Sequence, residues 1–98
     1  MVSTPQAHLF TPEVQMISSD QIRGARAVLR LSQAELADGA GVSLETIKRL
    51  EAMDGELKVR LDTLTKIKEA LEKAGVEFIP ENGGGAGVRL AKRARKAK

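Results

Sequence analysis

The sequence predicts a mainly α-helical domain of four short helices closed by a C-terminal β-hairpin. Three observations carry that expectation. Ser18 with Gln21 and Ser32 with Glu35 have the spacing of helix capping boxes, and Ser43 is a third capping serine. Apolar residues recur at three- and four-residue steps from Ile22 to Ala74. After Gly75 the pattern changes to two short runs of strand formers around a glycine-rich turn.

Residues 1–17 show neither helical nor strand periodicity and are interrupted by Pro5 and Pro12, which predicts a flexible N-terminal arm. From Ser18, Ile22, Ala25, Ala27, Val28 and Leu29 supply the apolar face of a first helix ending near Arg30. Ser32 opens a short second helix with Leu36 and Ala37 inward. Gly41 suits a left-handed C-terminal position, Val42 is an apolar plug, and Ser43 caps a third helix through about Met53 with Ile47 and Leu50 buried. Residues 54–60 contain an Asp-Gly pair and read as a loop. Leu61, Leu64, Ile67, Leu71 and Ala74 mark a fourth helix, with Glu69 and Lys73 as an i,i+4 pair on its wet face, and Gly75 stops it. Val76–Ile79 and Ala86–Leu90 flank a turn and form the hairpin. The expected organisation is an arm over 1–17, a helical domain over 18–75, a hairpin and candidate dimerisation element over 76–90, and a disordered basic tail over 91–98.

Composition narrows the function. Ninety-eight residues with 42% hydrophobic and 30% charged content fit one small domain. No apolar run approaches the roughly 18 residues of a membrane span, and the first residues lack the charged start and apolar stretch of a secretory signal, so a cytoplasmic, non-membrane protein is expected. With no cysteine and a single histidine, His8, there is no disulfide, thiolate zinc site, thiol nucleophile or multi-histidine metal cluster, and no cofactor is expected. Phe10 and Phe78 are the only aromatics, too few for the base-stacking platforms of most single-strand and RNA readers. Residues 89–98 carry six bases and no acid, so residues 1–88 hold ten bases against thirteen acids. The net charge of +3 therefore belongs to the tail.

Gln33 to Glu51 has the makings of a helix, tight turn and helix. Two helices crossing steeply need a small residue at their contact, which Ala37 supplies, and Gly41 supplies positive φ for the turn. With Val42, Ile47 and Leu50 inward, Leu44, Glu45, Lys48 and Arg49 face outward on the third helix. At Gln33, Leu36, Ala37, Gly41, Val42, Ser43, Ile47, Leu50 and Glu51, with Arg26 on the first helix, the sequence resembles the phage-repressor-like (Cro/repressor, XRE) helix-turn-helix family of bacterial transcription regulators. The resemblance covers about residues 20–75. It departs from the family pattern at Gly39 inside the second helix, at Met53 where glycine is frequent, and at Leu44 where a hydrogen-bonding reader is common.

The resemblance implies a lambda-repressor-like helix-turn-helix bundle of four to five short helices, with the third helix docked in the DNA major groove. It implies DNA contacts by position: Gln33 to a phosphate or base edge, Ser43 to a phosphate, Leu44, Glu45 and Arg49 to bases, with Lys48 alongside. Leu44 suits a thymine methyl and Arg49 a bidentate guanine contact. The alternative reading is that Gln33, Ser32 and Ser43 only cap helices. Glu45 either accepts from a cytosine amine or only favours the helix dipole. Lys58 and Arg60 are either phosphate contacts or a solvated loop. The resemblance also implies that Arg26 and Glu51 form a partly buried ion pair joining the first helix to the third, with no part in DNA contact.

The expected function is thus a sequence-specific double-stranded DNA-binding transcriptional regulator, by analogy a repressor, acting as a homodimer on a palindromic operator. The alternative is an antitoxin that binds a toxin and represses its own operon, with Leu9, Phe10, Val14, Met16 and Ile17 of the arm as the toxin-binding element. An enzyme is not expected: Asp20, Glu35, Asp38, Glu69 and Glu72 fit caps and helix surfaces, and Gly83–Gly85 lacks a P-loop lysine.

Overall fold

The computed structural model describes residues 17–54, 57–81 and 83–91. Four helices and one two-stranded antiparallel sheet occupy them: α1 (Ser19–Leu29), α2 (Gln33–Ala40), α3 (Leu44–Glu51), α4 (Leu61–Lys73), β1 (Val76–Ile79) and β2 (Gly87–Leu90). The capping serines set the first three helix starts. Ser18 and Ser32 each accept from the backbone N–H three residues on, while Gln21 and Glu35 return a bond to the cap N–H. Ser43 accepts from Thr46 N–H at 3.1 Å. Helix α1 ends on Arg30 and α2 on Gly41, both left-handed, at φ 59° and 73°. The third helix stops at Glu51, short of the expected Met53, with Ala52 as its C-cap.

Ile22, Leu36, Ile47, Leu50, Ile67 and Leu71 are fully buried, one or two from each helix, so a single core lies where the four helices meet. Each such side chain contributes about 1.5 to 3 kcal/mol of transfer free energy. The hairpin covers this core from the α1 side, with Phe78 and Val88 packed on it and Val88 Cγ2 3.4 Å from where a Cβ on Gly24 would stand. Register pairs Val76 with Leu90, Glu77 with Arg89, Phe78 with Val88 and Ile79 with Gly87. An isolated hairpin is marginal in water. Here Gln21 secures it: besides accepting from Ser18 N–H at 3.0 Å, its amide donates to the carbonyls of Ile79 at 3.3 Å and Gly87 at 3.1 Å. Lys68 of α4 lies 5.8 Å from the Phe78 ring centre and adds a cation–π contact.

Several expectations need correction. Ile17 is not part of a free arm; at 3% exposure it belongs to the core and is unavailable to a toxin. Ala27 and Ala74 are exposed, Val28 is 36% exposed and Leu61 57%, because the apolar stripes of α1 and α4 are narrower than their sequences suggest. Residues 57–60 carry no helix or strand, as their reading as a loop requires, but Leu57 is buried and Val59 half-buried. The second strand begins at Gly87 rather than Ala86. Residues 1–16 of the expected arm, with His8, Leu9, Phe10, Val14 and Met16, and residues 92–98 of the expected tail lie outside the described residues, and Ala91 is held by its N–H to the Gly75 carbonyl at 2.7 Å. Among the described residues no helix is long and apolar enough to cross a membrane.

Gly39 lies inside α2 without a positive φ, and nothing stands within 4 Å of the place a Cβ would occupy. Gly39→Ala is therefore expected to raise stability by about 0.5 to 1 kcal/mol, since it removes only the entropic cost of glycine in a helix. Chemical denaturation that left the midpoint unchanged or lowered would contradict this.

Candidate nucleic-acid interface

Helices α2 and α3 are joined by Gly41, Val42 and Ser43. Val42 packs partly on the core and Ile47 and Leu50 fix the inner face of α3. At 100° per residue, that burial leaves Glu45, Lys48 and Arg49 on the outer face, all exposed, with Leu44 at its edge 37% exposed. The four predicted readers on α3 thus share one solvent-facing surface. Ser43 is exposed, and its hydroxyl lies 2.9 Å from Thr46 Oγ1 while capping the helix.

The carboxyl end of α3 is locked to α1 and α2. Glu51 is buried; its Oε2 accepts from Arg26 Nε at 2.7 Å, and its Oε1 accepts from Arg26 Nη2 at 2.8 Å and from Gln33 Nε2 at 3.0 Å. Arg26 also donates to the Leu31 carbonyl at 3.0 Å, so one guanidinium spans α1, the α1–α2 link and α3. Burial pushes the Glu51 carboxyl up, but hydrogen bonds from Arg26 and Gln33 and the charges of Arg26 and Arg23 outweigh it and hold the pKa below the ordinary value. The bond to Glu51 conversely raises the Arg26 pKa. Two further ties had no sequence signal beyond residue type. Ser19 Oγ donates to the Met53 carbonyl at 2.8 Å, and Arg23 donates to the Glu51 carbonyl while pairing with Asp20.

Gln33 is the first residue of α2 and not its cap, which is Ser32. Gln33 is half-buried, and one of its amide N–H groups is used on Glu51, so it first positions α3 and has only its remaining polar atoms to offer outward. On the other side of α3, Thr46, Arg49, Lys58, Val59, Arg60 and Thr63 line an open groove. This brings Arg49 together with the two loop cations. Arg60 is engaged by Asp62 at 3.2 Å, which lowers the Asp62 pKa; both groups are exposed, and pairs of this kind exchange readily for another anion. Among the described residues no ion pair involves Lys48, Arg49 or Lys58. A surface of this kind can hold phosphates along its groove and direct a guanidinium and a leucyl group at base edges.

Among the described residues no group of three or more His, Cys, Asp or Glu could hold a metal ion. No protein-family model matches the chain, and no curated protein matches it.

Proposed function

We propose that this chain is a sequence-specific double-stranded DNA-binding transcriptional regulator of the phage-repressor-like helix-turn-helix kind, by analogy a cytoplasmic repressor, reading the major groove with α3. The observation that carries the reading is the setting of α3. It is buried on Ile47 and Leu50, pinned at its carboxyl end through Glu51, and open to solvent with Leu44, Glu45, Lys48 and Arg49 beside Lys58 and Arg60. A helix about 10 to 12 Å across enters a major groove about 12 Å wide. Ser43, at the amino end of α3, and Lys58 and Arg60, along the groove, meet phosphates, while Arg49 makes the bidentate guanine contact. The protein acts by binding, without cofactor or catalytic centre.

The test is selection of bound sequences from random duplex DNA followed by footprinting of the winning sequence. A protected, enriched site supports the reading, and indifference to sequence at moderate salt refutes it.

Eight residues of α3 read only a few base pairs, so the protein is expected to act as a homodimer on a two-fold palindrome, with half-site centres about 34 Å apart. The edges of the hairpin offer a symmetric contact, with Leu90 44% exposed. Sedimentation that finds only monomers at tens of micromolar, both free and on DNA, would count against the dimer.

A further inference from the structure

Met53 stands where α3 gives way to the loop leading to α4, and three contacts fix it there. Its N–H donates to the Leu50 carbonyl at 3.3 Å, its carbonyl accepts from the hydroxyl of buried Ser19 in α1 at 2.8 Å, and its half-buried side chain packs against the core. The sulfur, so anchored, accepts the Lys58 backbone N–H at 3.4 Å. A thioether is a weak acceptor. It is nevertheless the only partner of that N–H among the described residues.

The bond closes the loop on itself and fixes something that burial leaves open. Leu57 is buried and Val59 half-buried, so the chain is held at both sides of Lys58, whose own side chain is exposed. Two apolar anchors set the depth of the segment. They do not set the plane of the peptide between residues 57 and 58, which can turn about the chain while its neighbours stay in place. Such a turn would swing the Lys58 side chain. The bond to sulfur holds the plane, and with it the position of Lys58 on the groove that it lines with Thr46, Arg49 and Thr63. Among the described residues no ion pair holds the Lys58 ammonium, so its placement depends on its backbone.

We propose that Met53 is a positioning residue for the phosphate contact of Lys58, its sulfur orienting the Lys58 backbone so that the ammonium stands over the groove beside Arg49. This rests on the DNA-binding reading and adds to it the device that orders one flank of the site. The device belongs to this chain: glycine, frequent at this position in the family that the sequence resembles, offers neither a sulfur nor a packed side chain.

Met53→Leu tests it, since leucine keeps an apolar side chain of similar volume and removes the acceptor. In the full-length chain the melting temperature should fall little, while the Lys58 amide exchanges with solvent faster. Binding to every duplex should weaken by about 2- to 10-fold, the worth of one net hydrogen bond. The slope of log K against log salt should become shallower by up to about 0.9 per protomer, with the same ranking of operators. Added to Lys58→Ala, the substitution should cost no further affinity, because no ammonium is left to place. Equal losses with and without Lys58 would show that Met53 supports only the fold and would overturn the inference; unchanged amide exchange or an unchanged salt slope would overturn it too, leaving α3 intact as the reader. If the native chain selects no duplex at all, the DNA-binding reading falls and this role of Met53 falls with it.

Discussion

Glu51→Ala is expected to destabilise the domain by about 3 kcal/mol, before any question of DNA arises. Removing one partner of a buried pair costs about 3 to 5 kcal/mol because the other charge is left without compensation. The Arg26 side chain keeps 22% exposure, which gives it some access to water and favours the lower end of that range. The Gln33 amide loses its acceptor as well. For a domain of 60 to 100 residues this corresponds to a fall in melting temperature on the order of 15 °C. The depressed pKa adds a pH signature. The ionised form of Glu51 contributes stability that is complete above its unfolded value, about 4.5, and is lost as pH falls through its lower folded value. The native chain should therefore melt progressively earlier below about pH 4.5, and Glu51→Gln should show a weaker dependence over the same window. Asp62 and Glu77 also have lowered pKa values, but their partners are exposed and both are present in either protein, so the difference between the two isolates Glu51. An unaltered melting temperature in Glu51→Ala, or identical acid profiles for the native chain and Glu51→Gln, would mean that the pair does not hold α3.

How much of this was legible in the sequence follows from the range of the interactions involved. Helix starts are local events, governed by a serine and the residues within one turn of it, and Ser18, Ser32 and Ser43 cap where their spacing predicts. The hairpin was equally local, as a switch in hydrophobic period after Gly75. Most tertiary commitments were not legible, and the Arg26–Glu51 pair that the structure shows was expected only through the family resemblance. Gln21 reads as a capping-box residue, and nothing adjacent reports that its other amide atom clamps strands 58 and 66 positions away. Ile17 has no periodic neighbours, so only the assembled core shows its burial. Leu61 fits the apolar spacing of α4, yet it is the first residue of that helix and stands 57% exposed. At the interface the outward set on α3 follows from helical geometry once Ile47 and Leu50 point inward. The proximity of Lys58 and Arg60 to Arg49 does not, because it depends on the path of the intervening loop.

Arg49→Ala is expected to weaken binding to the preferred operator by about 1 to 3 kcal/mol, roughly 5- to 150-fold, and to relax the preference at one base-pair position. The exposed outer face of α3, free of ion pairs among the described residues, leaves the Arg49 guanidinium available as a two-pronged donor. Guanine presents O6 and N7 at the matching spacing in the major groove. Lys58→Ala is the contrasting case. Loss of one phosphate contact should weaken all sequences alike and make the salt slope shallower by about 0.9, without changing which operator wins. Arg49→Lys separates geometry from charge, since a lysine keeps the positive charge beside the groove but lacks the planar fork. It should retain most of the salt dependence and lose most of the discrimination at that position. Gln33→Ala is a poorer probe, because its amide also supports Glu51 and its effect on binding will be mixed with one on stability. Measured by competition between the selected operator and its single-base variants, equal losses on every sequence for both Arg49→Ala and Lys58→Ala would remove Arg49 from the role of reader. The specificity of α3 would then rest on Leu44, Glu45 and Lys48.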